Sequence, residues 1–191
     1  MRDAEMFVMC NMLSVTGCRI QTTTFTYGSL AVARVVLNGD EVFVSPSGNR
    51  GTNIVLINHV SCTHRETRTF DTYLLASEAT ALRDYLQGLK TGDVVVAVTA
   101  DAPVGKLDNA LDTLKQWGAD VSDVEIRGTF TFVAQKGYPK RTTLVKVPTE
   151  EESQINPASL DVTISGMQTV AISFYTCVTW RTLTERHHFF N

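Results

Sequence analysis

The sequence predicts an α+β fold of antiparallel β-sheets, sandwich-like, with two or three helices packed on them. Three observations carry this expectation. Short alternating runs of β-branched and aromatic residues fill the first third of the chain. Two amphipathic stripes of helical period follow, over 77–89 and 106–117. Between them Asp93 to Thr99 is nearly all apolar, as in a strand covered on both faces.

Each element has a local reason. Thr22 to Thr26 is β-branched and aromatic. Leu30 to Leu37 alternates and ends at Asn38-Gly39, a strong hairpin turn, after which Glu41 to Ser45 runs back. Ile54 to Ile57 is an unbroken apolar run, and Thr67 to Asp71 is expected to pair with it. Ser77 can cap the first helix, with Glu78 in its first turn and Ala79, Leu82, Leu86 and Leu89 on one face. Leu107, Ala110, Leu111, Leu114 and Trp117 form the stripe of the second, and Gly118 stands where a left-handed cap belongs. Thr129 to Ala134 and Thr142 to Val147 return to strand. Leu160 to Leu183 reads as two strands turning near Gly166, which either complete the sheet or begin a second module.

At 191 residues, one domain with flanking segments is the natural organisation. The expected divisions are a lead-in over 1–18, a compact domain over 19–147, an acidic linker or loop over 148–157, and a β-rich segment over 158–191. A hydrophobic fraction of 43% and a charged fraction of 19% describe an ordinary globule. The net charge of -3 offers no footprint for nucleic acid. The apolar run Val94 to Val98 is too short to span a bilayer, so no membrane insertion is expected. The Gly-x-Ser-x-Gly elbow, the His-Glu-x-x-His helix, the P-loop and the dinucleotide fingerprint are all missing. No enzyme activity and no cofactor are expected.

Several motifs fall in one order: Arg50-Gly-Thr-Asn-Ile-Val-Leu-Ile-Asn58, Phe70-Asp71-Thr72-Tyr73, the strand ending near Asp101, Lys106-Leu107-Asp108, Ile126-Arg127-Gly128-Thr129-Phe130, and Gln135-Lys136-Gly137. In order and spacing they resemble the interleukin-like EMT inducer/PANDER domain family, over about Arg19 to Val147. That family includes secreted cytokine-like proteins and the sugar-binding stem domain of protein O-mannose N-acetylglucosaminyltransferase. The resemblance implies a secreted or Golgi-lumenal module, part of a larger protein.

It also implies a carbohydrate site at Arg50, Asp101 and Arg127, with Phe130 covering the apolar face of the sugar ring. The chemistry suits these residue types. A sugar's vicinal hydroxyls donate and accept at once. A guanidinium fork gives two hydrogen bonds, and a carboxylate takes two back. The expected ligand is a glycan or glycoprotein of N-acetylglucosamine type. The alternative is a cytokine-like or adhesion module that binds protein without a sugar site. This chain has Phe130 where the family usually has tryptophan, and Gly128 where a second carboxylate is usual.

Four cysteines allow three complete pairings. The extracellular setting implied by the resemblance favours at least one disulfide, with Cys62 and Cys177 as the expected pair. The family's own pattern does not transfer, because Val133 stands where its cytokine-like members have cysteine. His59-Val-Ser-Cys62-Thr-His64 fits no zinc signature and reads as a polar loop, so no metal is expected.

Overall fold

The computed structural model describes residues 17–25, 31–153 and 155–164. In chain order the elements are β1 (Cys18–Phe25), β2 (Val32–Leu37), β3 (Asp40–Val44), β4 (Gly51–Asn58), β5 (Thr63–Phe70), α1 (Ala76–Gly88), β6 (Val94–Ala100), α2 (Asp108–Gln116), β7 (Thr129–Gln135), β8 (Thr143–Val147), α3 (Glu150–Ser153) and β9 (Ala158–Ile164). They build two antiparallel sheets, ordered β3-β2-β1-β9 and β5-β4-β6-β7-β8.

Three layers result. Strands β4, β6 and β7 are buried along nearly their whole length because both their faces are covered. Ile54, Leu56, Val95, Ala97, Phe130 and Phe132 face the helices, where Leu82, Leu86, Leu107, Leu114 and Trp117 pack on them. Val55, Ile57, Val96, Val98 and Val133 face the first sheet and meet Ile20, Ala33, Val35, Leu37 and Leu160. The expected central strand is β6, the middle member of its sheet. The apolar stripes of both helices supply the helical layer.

Local signals hold with small shifts. Asn38 and Gly39 both take positive φ, 53° and 95°, as a tight hairpin between β2 and β3 requires. Gly118 takes φ 86° just past α2. Helix α1 begins a residue before Ser77, and the residue at its N-cap is Leu75, without a side-chain cap. Its far end is closed from a distance. Lys136 Nζ donates to the Leu86 carbonyl at 2.9 Å and to that of Gln87, and lies 5.9 Å from the Trp117 ring centre. A cation on the last carbonyls of a helix opposes its dipole. Lys136→Met is therefore expected to lower stability by about 1 kcal/mol, read as a shift in the urea midpoint.

The acidic stretch after Pro148 is not a bare linker. It forms the single turn α3, and Ser153 is buried. Strand β9 then pairs along β1, from Cys18↔Ile164 to Thr24↔Ala158, and completes the first sheet. The second strand expected before Leu183, the turn at Gly166 and most of the lead-in lie outside the described residues.

The disulfide differs from the expected one. Cys62 joins Cys18, with Cα atoms 5.3 Å apart. Cys62 sits in the β4–β5 turn at φ 52°, and that hairpin tip overhangs the start of β1. Sequence proximity gives no hint of this meeting, which follows from stacking one sheet on the other. Cys177 lies outside the described residues.

The layer between the sheets is not wholly apolar. Thr22 and Thr24 of β1 meet Thr129 and Thr131 of β7. The Thr131 hydroxyl lies 2.8 Å from that of Thr22, and Thr24 bonds Thr129. Thr99 joins them, 2.8 Å from Thr129. Among the described residues every buried side-chain nitrogen and oxygen has a partner, as burial of polar groups demands.

Candidate functional site

Strand register decides what gathers at the end of the five-stranded sheet. Gly51 pairs with Ala100, so Arg50 and Asp101 are the next residues out on adjacent strands. Pairing of β6 with β7 runs only to Val98↔Thr131. Beyond it the Thr99 hydroxyl takes the place of the backbone ladder. It accepts from Phe130 N–H at 3.0 Å and lies 2.9 Å from the Phe130 carbonyl. Past this insertion Asp101 leaves β6 while Arg127 approaches β7. Three neighbouring strands thus bring Arg50, Asp101 and Arg127 to one end of the sheet.

Arg50 is held by the loop after β5. Its Nε lies 3.1 and 2.9 Å from the two Asp71 carboxylate oxygens, and its Nη2 lies 2.9 Å from Oδ2. Its guanidinium carbon stands 5.5 Å from the Tyr73 ring centre, within cation–π range. Asp71 also accepts from Leu74 N–H at 3.2 Å, which fixes the loop that displays Tyr73. Thr72 is buried beneath: its hydroxyl donates to the Pro103 carbonyl at 2.6 Å, and its own carbonyl accepts from Lys106 N–H at 2.7 Å. The loops after β5 and β6 are therefore one packed unit. Gly105 leaves room for Tyr73, since a Cβ there would lie 2.8 Å from the ring.

Arg127 is held from the other side by the turn α3. Its Nη1 donates to Glu150 Oε1 at 2.9 Å. The Ser153 hydroxyl lies 2.8 Å from the Arg127 carbonyl, and Glu125 N–H donates to the Pro148 carbonyl at 2.8 Å. Glu150 first, then Asp101 and more weakly Tyr73, hold the Arg127 guanidinium above its ordinary pKa. That Coulomb coupling ties the residues into one cluster. The Arg127 side chain stays 52% exposed, so donors remain for a ligand.

Asp101 and Arg127 both hold left-handed backbone, at φ 51° and 65°. Such a conformation costs a non-glycine residue about 1–2 kcal/mol. Strained positions of this kind cluster at functional sites.

Phe130 does not belong to this group. It is fully buried, 6.4 Å from Phe132 in a near-parallel stack, within the helix-side core. Along β7 it points opposite to Thr129 and Thr131, and that face is filled by helices. The aromatic residue at the site is Tyr73. Its sequence signal was the run Phe70-Asp71-Thr72-Tyr73. Glu150, inside a run of three glutamates that reads as solvated charge, carried no comparable signal. Cys62, in the β4–β5 turn, is consumed by the disulfide, and on β5 His64 Nε2 bonds the Thr67 hydroxyl at 2.9 Å.

A layered α+β sandwich, cross-linked by the Cys18–Cys62 disulfide and carrying paired charges at one sheet end, has the build of an extracellular-type module. The family model of the interleukin-like EMT inducer matches residues 50–138, from the residue before β4 to just past β7, and supports the resemblance read from the sequence. A comparison with curated proteins gives no match. Family and disulfide together fit an extracellular or lumenal protein. Among the described residues no helix is long and apolar enough to cross a membrane.

Proposed function

We propose that this domain is a non-catalytic recognition module that binds carbohydrate of N-acetylglucosamine type at Arg50, Asp101 and Arg127. One observation carries the reading: β4, β6 and β7 deliver these three side chains to a single sheet end, two of them on strained backbone. Two guanidiniums and a carboxylate supply the donors and acceptors that vicinal hydroxyls need. Tyr73 provides the aromatic surface in place of Phe130. The resemblance to a sugar-binding stem domain supports the same residues.

A monosaccharide is expected to bind at about 1 mM, or about -4 kcal/mol. Each hydrogen bond it forms replaces one already made to water. Ligand-observed NMR against N-acetylated sugars, with chelator present, tests the site. Arg127→Ala should lose the signal while circular dichroism stays unchanged. Arg50→Lys should weaken it, because lysine lacks the planar fork. No signal from the parent protein, or equal signals from all three, would remove the sugar reading.

A protein-binding reading has its own support. Leu74 and Leu75 beside Tyr73, and Ile126 beside Arg127, are exposed aliphatic side chains. Exposed apolar groups around an arginine and a tyrosine resemble the anchors of protein interfaces. This reading leads if the glycan experiment fails.

A further inference from the structure

The sugar reading leaves open which sugars the site admits. The charge pattern bears on this. Each arginine already faces a carboxylate: Asp71 on Arg50 and Glu150 on Arg127. Asp101 adds a third negative group, coupled electrostatically to Arg127. Among these five side chains two positive charges meet three negative ones.

The two pairs are not equivalent. Asp71 is bound by two guanidinium nitrogens and by Leu74 N–H, so it is built into its loop. Glu150 reaches Arg127 through one nitrogen from a different part of the chain. The turn that carries it is fastened independently of that contact. The Ser153 hydroxyl holds the Arg127 and Glu150 carbonyls, and Thr149 Oγ1 accepts from Glu152 N–H at 3.2 Å. The turn therefore keeps these fastenings when the Glu150 side chain is changed.

We infer, resting on the sugar reading above, that Glu150 is the specificity-determining residue of this site: by occupying Arg127 it excludes sugars bearing a carboxylate and admits neutral ones. A uronic or sialic acid carboxylate would seek an arginine fork as its best partner. Here it would have to displace Glu150 and then lie near Asp101, whose charge is coupled to Arg127. A neutral sugar has no such conflict, because the remaining donors of Arg127 serve its hydroxyls while Glu150 stays in place. Selectivity built from repulsion in this way rejects the wrong ligand without adding a contact to the right one.

The test uses N-acetylglucosamine, glucuronic acid and N-acetylneuraminic acid as probes, titrated by NMR into the parent, Glu150→Gln and Glu151→Gln. Glu151→Gln removes the same charge from the neighbouring exposed residue and serves as the control. The parent should bind N-acetylglucosamine and show markedly weaker binding of both acids. Glu150→Gln should gain about fivefold toward the acids, the upper range for an exposed ion pair. Its gain toward the acids should exceed any change toward N-acetylglucosamine. The gain should shrink in high salt, since exposed charges are screened. Glu151→Gln should show no such gain. Parent binding of the neutral sugar with no gain in Glu150→Gln overturns this inference alone. Equal gains in both variants also overturn it, since bulk charge would then be the cause. Failure of the parent to bind any of the three sugars overturns it together with the sugar site.

Discussion

Removing the Cys18–Cys62 bond is expected to destabilise the domain by about 4 kcal/mol. The two cysteines are 44 residues apart in sequence, and closing a loop of that length removes about this much chain entropy from the unfolded state. The bond also spans the layers: β1 belongs to the four-stranded sheet and the β4–β5 turn to the five-stranded one. Urea denaturation of a Cys18→Ala/Cys62→Ala variant beside the parent measures the loss. A difference under about 1 kcal/mol would mean that the unfolded chain is already constrained, against the loop-entropy account. Peptide mapping without reduction should recover residue 18 linked to residue 62. Recovery of residue 62 linked to residue 177 would restore the pairing first expected.

Gly51→Ala should cost about 3 kcal/mol or more. Gly51 holds φ 88°, a region that disfavours any side chain. A Cβ there would stand 2.2 Å from the Phe70 carbonyl oxygen and 2.7 Å from Thr72 N. Both are backbone atoms, and the Thr72 hydroxyl is pinned between Thr52 and the Pro103 carbonyl. The chain cannot step aside without breaking buried hydrogen bonds, so steric and conformational penalties add. The Arg50–Asp71 pair flanks the same contact, so sugar binding should fall along with the denaturation midpoint. A variant as stable as the parent would show that β4 does not press on this loop.

The sheets and helices were legible because their signals are local. Asn38-Gly39 needs only two residues to announce a hairpin, and the α2 stripe needs one helical face. Asp93 to Thr99 declares its burial by the near absence of polar side chains. The misses share another cause. Ser77 has the right chemistry for a cap, but the chain enters α1 a residue earlier and leaves it inside the first turn. Phe130 and Arg127 are three residues apart, yet only knowledge of which face of β7 the helices cover separates core from surface. Cys18 and Cys62 meet because one sheet lies on the other, a long-range fact with no periodic trace. The same holds for Glu150, which reaches Arg127 across 23 residues. The arginines and Asp101 were found through family resemblance, since scattered charges carry no pattern of their own.

The threonines between the sheets carry a consequence for how the layers are indexed. Two greasy faces can slide past one another by one strand residue, about 3.4 Å, with little change in buried area. Thr22, Thr24, Thr99, Thr129 and Thr131 forbid that freedom. Such a slide would take the Thr22 hydroxyl out of reach of Thr131 and that of Thr24 out of reach of Thr129. Each buried hydroxyl left without a partner would cost about 1–3 kcal/mol. The hydroxyls thus act as a vernier: they add little to adhesion and fix the offset at a single value. The four-stranded sheet is held at that offset at its β1 face, and Cys18 reaches the β4–β5 turn only from there.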